Sequence, residues 1–231
     1  MQAVILAGGL GTRLRPITYK IPKHMVKIAG KPFLERLIGM LKENGITDIV
    51  LCVGYLHENI MDYFGKGEKF GVEIKYSIEN KNLLGTGGAI KHAAKYLKGN
   101  FFVIYGDSYL KLDYKKLMQS HQKFNKTGTM AVYNNKSRTF VKNNVEIGKD
   151  GHIANYNKES TDKKMKYVDA GVLAFKKSIL KKIPSDKKIS LEEDIFPKVI
   201  KSKELCSFKS SSRFYDIGSM QRLRAFKKVL S

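Results

Sequence analysis

Cysteine is scarce in this chain, long apolar runs are missing, and acidic residues are outnumbered by basic ones by about two to one. Each shortage closes off a class of protein. The two cysteines, Cys52 and Cys206, are too few and too far apart for a disulfide framework or a zinc pattern. Cys52 sits inside the apolar run Ile49-Val50-Leu51-Cys52-Val53, so both thiols are expected to be buried and reduced in a cytoplasmic protein. No apolar stretch approaches the roughly 20 residues that cross a bilayer, so no membrane insertion is expected. The opening Met1-Gln2-Ala3-Val4-Ile5-Leu6-Ala7 has no basic leader region and runs directly into glycines, which reads as a first core strand and not a signal peptide. The five histidines, at 24, 57, 92, 121 and 152, are scattered, and no Ser-His-Asp set or histidine pair can be assembled from the pattern. There is no internal repeat, low-complexity segment or linker.

The shortage of acid leaves 21 Asp and Glu against 43 Lys and Arg, a formal charge of +22. Such an excess raises the question of nucleic acid. The cations are mostly lysines spread along the chain, with doublets at Lys176-Lys177, Lys181-Lys182 and Lys187-Lys188 and no aromatic interleaving. A solvated surface with a general attraction for anions is the expectation, and a nucleic-acid partner is not.

The first half alternates short apolar runs with helical spacing. Ala3–Ala7, Ile49–Val53, Val72–Ile78 and Phe101–Tyr105 read as strands, and Phe33–Leu41, His57–Phe64 and Gly85–Leu97 as helices. Repeated βαβ units predict an α/β fold, a Rossmann-like doubly wound mixed sheet with ligands outside the carboxyl ends of its strands. In the second half, Tyr114–Phe124, Leu191–Ile200 and Met220–Leu230 read as helices. Strands are expected at Thr129–Tyr133, Asn144–Ile147, His152–Tyr156 and Val168–Phe175, with Lys149-Asp150-Gly151 as a hairpin turn. The expectation is one compact domain of two lobes, 1–112 and 113–231.

The strongest chemical signal is Leu6-Ala7-Gly8-Gly9-Leu10-Gly11-Thr12-Arg13-Leu14-Arg15-Pro16, followed by Pro22-Lys23. Glycines at 8, 9 and 11 let backbone approach a ligand, and Arg13, Arg15 and Lys23 add the positive charge that a triphosphate needs. The loop lacks the Gly-Lys-Ser/Thr ending of a P-loop and the last glycine of a dinucleotide fingerprint.

This stretch resembles the signature loop of the sugar-1-phosphate nucleotidylyltransferases, whose fold is the nucleotide-diphospho-sugar transferase type. Further motifs follow in that family's order: Leu84-Gly85-Thr86-Gly87-Gly88, Tyr105-Gly106-Asp107-Ser108, Tyr156-Asn157-Lys158, Asp169-Ala170-Gly171 and Tyr215-Asp216-Ile217-Gly218. Through Leu84–Ile90 and Ile189–Asp194 the chain looks most like compact bacterial guanylyltransferases of heptose or mannose 1-phosphate. The resemblance implies an NTP held by Leu6, Ala7, Gly8, Gly9, Gly11, Thr12, Arg13 and Lys23. Glu79, Gly85, Thr86 and Gly87 would face the base. Gly106, Asn157, Lys158, Asp169, Gly171 and Glu192 would face the sugar phosphate, and Asp107 and Asp216 would hold Mg²⁺. Arg13, Lys23, Asp107, Lys158 and Asp216 form the implied catalytic set. A carboxylate at position 79 suits the N1–H and N2–H of guanine, which favours GTP.

Asn157 stands where many relatives have Glu, Asp169 where many have Asn, and His24 where proline is common. Two other readings remain compatible with the residues. One is a cytidylyl- or uridylyltransferase acting on another sugar 1-phosphate or on a headgroup such as phosphocholine, with Tyr156, Tyr167 and Asp169 as walls. The other is a non-catalytic binder of NTP or nucleic acid. A homo-oligomer is compatible with all of them.

Overall fold

A computed structural model describes residues 1–79, 82–137, 139–185 and 187–230. The chain runs through β1 (Gln2–Ala7), β2 (Lys27–Ile28), β3 (Lys31–Pro32), α1 (Phe33–Glu43), β4 (Asp48–Val53), α2 (His57–Phe64) and β5 (Glu73–Ile78). It continues through α3 (Gly85–His92), β6 (Asn100–Tyr105), β7 (Ser108–Leu110), α4 (Tyr114–Phe124), β8 (Gly128–Tyr133), β9 (Val145–Ile147) and β10 (Ile153–Tyr156). It ends with β11 (Val168–Lys176), α5 (Phe196–Lys201), β12 (Leu205–Ser210), β13 (Phe214–Asp216) and α6 (Met220–Leu230).

Seven strands form one sheet in the order β12-β8-β11-β6-β1-β4-β5. All run parallel except β11, which is antiparallel to both β6 and β8. Buried strands read as continuous apolar runs because both faces are covered. Ile5, Leu51 and Phe102 pack on one face against α1, α4 and α6, through Leu37, Leu117 and Phe226. Val4, Val50 and Val103 pack on the other against Ile90 of α3 and Phe196 of α5. Each fully buried side chain of this size contributes roughly 1.5–3 kcal/mol relative to exposure.

The second half continues the sheet instead of lying against it, because the open edge of β6 is satisfied by β11. Several predicted elements change at their ends. Gly85–Leu97 is α-helical only to His92 and then tightens into a 3₁₀ turn, Ala93–Tyr96. The expected helix Leu191–Ile200 divides into a π turn, Leu191–Ile195, and α5. Pro197 has no N–H to donate and its ring would crowd the carbonyl of Glu193, so the preceding turn widens and Phe196 N–H reaches back to Leu191. The strand expected at Asn144–Ile147 begins one residue later, and His152 contributes only an isolated bridge to Cys206. The hairpin turn forms as expected, with Gly151 at φ 82°. Strands β7, β12 and β13 were not legible: β12 is an edge strand whose Ser207, Lys209 and Ser210 break the apolar pattern.

His121 on α4 is fully buried, with Nδ1 3.0 Å from Thr129 Oγ1 and Nε2 without a partner among the described residues. Burial, then the charge of Lys176, lowers its pKa from 6.5 to about 4. Between those values the unfolded chain binds the proton and the folded chain does not, so stability is present above pH 6.5 and falls as pH falls toward 4. His121→Asn keeps a group near Thr129 and should flatten that loss. Urea unfolding at pH 7.5 and 4.5 should show the wild type losing about 2–3 kcal/mol more than the variant.

Candidate active site

The carboxyl ends of β1, β4, β5 and β6 open on one edge of the sheet, where the chain order reverses across β1. Because β11 runs the other way, its first residues, Val168 and Asp169, arrive at the same edge. The glycine loop leaves β1 here. Gly11 takes φ 65°, its carbonyl accepts from Thr18 Oγ1 at 2.8 Å, and a 3₁₀ turn at Thr12–Leu14 follows. Gly106 N–H donates to the Leu6 carbonyl at 2.9 Å, and a Cβ there would run into that oxygen and the His24 ring.

Two cavities meet along this edge. The first, about 220 Å³, lies between the glycine loop and α3, walled by Leu6, Gly8, Gly9, Glu79, Gly85 and Thr86. Leu84 N–H holds Glu79 Oε2 at 2.6 Å, and Oε1 lies 3.0 Å from where a Gly8 side chain would begin. Burial raises the Glu79 carboxyl above its ordinary range, against the Leu84 hydrogen bond. The second cavity, about 550 Å³, is walled by Arg13, Lys158, Asp169, Gly171, Asp216 and Arg222, with Glu192 among its lining. Thr86, Tyr105 and Asp107 line both.

Asp107 and Asp216 are brought together by the short β7–β13 ladder. Asp216 pairs with Ser108, and Ile217 N–H donates to the Asp107 carbonyl at 3.0 Å. Lys23 Nζ meets Asp107 Oδ2 at 2.6 Å. Burial alone would raise Asp107, but the charge and hydrogen bond of Lys23 outweigh it and hold the carboxyl at about 2. Asp216 is lifted to about 6 by burial and then by the charge of Asp107. Arg222 NH1 at 3.1 Å and Gly218 N–H at 2.8 Å oppose that rise. The absent side chain of Gly218 leaves room for the Arg13 and Arg222 guanidinium groups. His24 is 2% exposed, and burial and then Lys23 lower it to about 3, so it stays neutral beside the pair.

Among the described residues no group of three or more His, Cys, Asp or Glu side chains is placed to hold a metal alone. Two hard carboxylates lining one cavity, each raising the cost of charging the other, do suit a divalent cation whose remaining ligands come from bound phosphates.

The wall of the second cavity is organised by Glu192. Its Oε1 accepts from Lys158 Nζ at 3.0 Å and Tyr105 OH at 2.8 Å, and its Oε2 from Thr86 Oγ1 at 2.6 Å and Ser190 Oγ at 2.9 Å. Burial would raise this carboxyl, but Lys158 and Thr86 bring it below its ordinary range. Asp169 behaves oppositely. Burial, with the charge of Glu192, raises it to about 6 against hydrogen bonds from Gly171 N–H and Tyr156.

Most residues expected from the sequence line one cavity or the other. Four do not. Ala7 is buried within β1, and Thr12 is exposed on its 3₁₀ turn. Gly87 N–H donates to the Ile189 carbonyl at 2.8 Å, so this glycine serves a close backbone approach behind the cavity. Asn157 is exposed, and its Oδ1 accepts from Glu159 N–H at 2.9 Å. Sequence reasoning missed Arg222, the phenol of Tyr105, and Asn144, whose Oδ1 accepts from Asp169 N–H at 2.9 Å. Tyr105 lay inside a quoted motif, and Arg222 stood in the first turn of an expected helix. Nothing local marked Asn144.

The family profile described as nucleotidyl transferase matches residues 2–230. The chain is 36% identical over 231 residues to D-glycero-alpha-D-manno-heptose 1-phosphate guanylyltransferase of Aneurinibacillus thermoaerophilus, covering 100% of this chain and 98% of the relative. It is 37% identical over 219 residues to the enzyme of the same name from Campylobacter jejuni, covering 94% and 95%. The crystal structure of HddC from Yersinia pseudotuberculosis, complexed with GMP-PN, superposes with a TM-score of 0.83 at 32% identity, covering 100% of this chain and 99% of that one. The conjunction of the glycine loop, the paired aspartates and these full-length similarities identifies the chain as a member of the nucleotidyl transferase family.

Proposed function

We propose that this enzyme transfers GMP from GTP to a sugar 1-phosphate of the manno-heptose or mannose type, releasing pyrophosphate. The observation that carries the reading is the meeting of two cavities at Asp107, one walled by the glycine loop and one by the second half of the chain. The first is lined entirely by residues up to Asp107, which supports 1–112 as the nucleotide lobe. Lys142, Lys158, Asp169, Glu192 and Asp216 line the second, which supports 113–231 as the sugar-phosphate lobe. Guanine is favoured by Glu79, and two relatives of near-equal length are named for guanylyl transfer to a manno-heptose 1-phosphate.

In this reading Arg13 and Lys23 hold the triphosphate, and Lys158 holds the acceptor phosphate. An acceptor phosphate oxygen attacks the α-phosphorus in line. A P–O bond forms as the bond from the α-phosphorus to the bridging oxygen breaks, and pyrophosphate leaves with that electron pair. A phosphate monoester is already ionised near neutral pH, so no side chain has to take a proton. The family generally works with a divalent metal, and Asp107 and Asp216 would hold Mg²⁺. When bound, that ion would supply charge to the α-phosphate and the leaving group. Lys23, Arg13 and Arg222 supply fixed charge and orientation, which can contribute on the order of 7–11 kcal/mol in favourable cases.

A cationic headgroup is a weaker fit. Tyr167, one wall of the box it would need, carries the Lys209 ammonium over its ring at 5.7 Å and does not line the cavity. Two buried free thiols agree with a cytoplasmic setting.

Pyrophosphate release with Mg²⁺, crossing GTP, UTP, CTP, dTTP and ATP with a panel of sugar 1-phosphates and phosphocholine, should single out GTP with a manno-configured acceptor. Turnover only with another nucleotide or with phosphocholine would replace the reading. Arg13→Ala and Asp107→Asn should each lower kcat/KM by about 10²-fold or more, by analogy with removing one transition-state donor. Their circular dichroism should stay that of the wild type, and near-normal turnover would remove that residue from the reaction.

A further inference from the structure

Glu192 was expected to bind substrate, yet its acceptor capacity is already used. An ionised carboxylate offers about four lone-pair sites. Lys158 Nζ, Tyr105 OH, Thr86 Oγ1 and Ser190 Oγ occupy them, all within 3.0 Å. A sugar hydroxyl would find no acceptor there without displacing one of these donors. The two oxygens also face different ways. Oε1 meets Lys158, which lines the second cavity, and Tyr105, which lines both; Oε2 meets Thr86, which also lines both, and Ser190, which lines neither.

The local backbone fixes this arrangement. Gly87 and Gly88 N–H groups draw the Ile189 carbonyl onto α3, Ser190 caps the π turn through Glu193 N–H, and Thr86 Oγ1 accepts from Leu191 N–H at 2.8 Å. The ion pair is asymmetric. The Glu192 side chain is 6% exposed and the Lys158 side chain 55%. The carboxylate is therefore the fixed member, and the lysine is a flexible stem whose ammonium goes where the carboxylate holds it.

We infer that Glu192 is a positioning residue that places the Lys158 ammonium for the acceptor phosphate and, through Thr86, keys that position to the nucleotide-side wall. This rests on the reading that Lys158 meets the acceptor phosphate.

The test is a double-mutant cycle of Glu192→Gln and Lys158→Ala, with GTP and D-glycero-α-D-manno-heptose 1-phosphate as substrates. Glu192→Gln should raise the acceptor KM roughly tenfold or more, and move the GTP KM by less than about twofold. In the Lys158→Ala background the same change should alter the acceptor KM by less than about twofold, because the residue it acts through is gone. Equal effects in both backgrounds would overturn the inference and make Glu192 a direct ligand or a purely structural group. If Glu192→Gln lacks a cooperative thermal transition, Ser190→Ala decides. Ser190 touches neither cavity, so a rise of about threefold in acceptor KM that vanishes with Lys158→Ala supports the inference, and an unchanged KM overturns it. A wild type inactive with every sugar 1-phosphate would overturn the functional reading and this inference together; an active wild type with an additive cycle overturns this inference alone.

Discussion

Two carboxylates are forced to share one cleft, and the rest of the site answers that constraint. The β7–β13 ladder sets Asp216 opposite Ser108 and ties Ile217 to Asp107, so the two side chains cannot separate without breaking backbone hydrogen bonds. The charge of Asp107 adds to burial in raising the Asp216 carboxyl, which is the mark of their repulsion. Lys23 and Arg222 offset that repulsion, Lys23 paired with Asp107 and Arg222 with Asp216. The compensation is uneven, since Asp107 is held at about 2 while Asp216 rises to about 6. Positive charge brought between them would relieve the remaining strain, which is why this pair and not a preformed cage suits a cation that arrives with phosphates.

The reversed strand serves the same edge. In a wholly parallel sheet, every strand would present its carboxyl end to the crevice and its amino end to the far side. Strand β11 is inverted, so Asp169 and Gly171 enter the crevice from a strand start, beside the ends of β6 and β8. Gly171 takes φ 75° at the register shift between β11 and β8, and its N–H turns onto Asp169 Oδ1. A side chain at 171 would collide with Ser108, next to Asp107. This wall of the second cavity and the paired aspartates are therefore packed through one glycine.

The parts of the site carried by contiguous residues were legible in the sequence. The glycine loop, Tyr105–Ser108 and Tyr215–Gly218 each sit on a strand end, and a short motif is enough to place them. What depended on contacts across the fold was not legible. Glu192 is 34 residues from Lys158 and 106 from Thr86, and only the folded chain shows that its oxygens are taken. Gly87 looked like part of a base-facing turn, but its need for no side chain comes from the Ile189 backbone behind it. Asn157 stood beside Lys158 in a motif, yet β10 ends at Tyr156 and a turn follows, in which the Asn157 amide oxygen accepts from Glu159 N–H instead. The continuous apolar runs of β1, β4 and β6 were clear because both their faces are buried. Edge strand β12 was not, because Ser207, Lys209 and Ser210 interrupt its apolar run; Lys209 is exposed, and the two buried serines donate to the Gly151 and Ser212 carbonyls.

The charge of +22 acts on a different scale from the site. Within the larger cavity the formal charges nearly cancel: Arg13, Lys142, Lys158 and Arg222 stand against Asp107, Glu159, Asp169, Glu192 and Asp216. Local pairs fix geometry, and a cavity of such pairs exerts little net pull on a distant anion. The lysines outside it, such as Lys181 and Lys182 on a 3₁₀ turn far along the chain, set the long-range field. That field falls off over about 8 Å at physiological ionic strength, so it gathers polyanionic substrates near the surface without choosing among them. Selection is left to short hydrogen bonds and paired charges in the cleft. A surface so basic therefore requires no nucleic-acid partner to account for it when both substrates of nucleotidyl transfer to a sugar 1-phosphate are themselves strongly anionic.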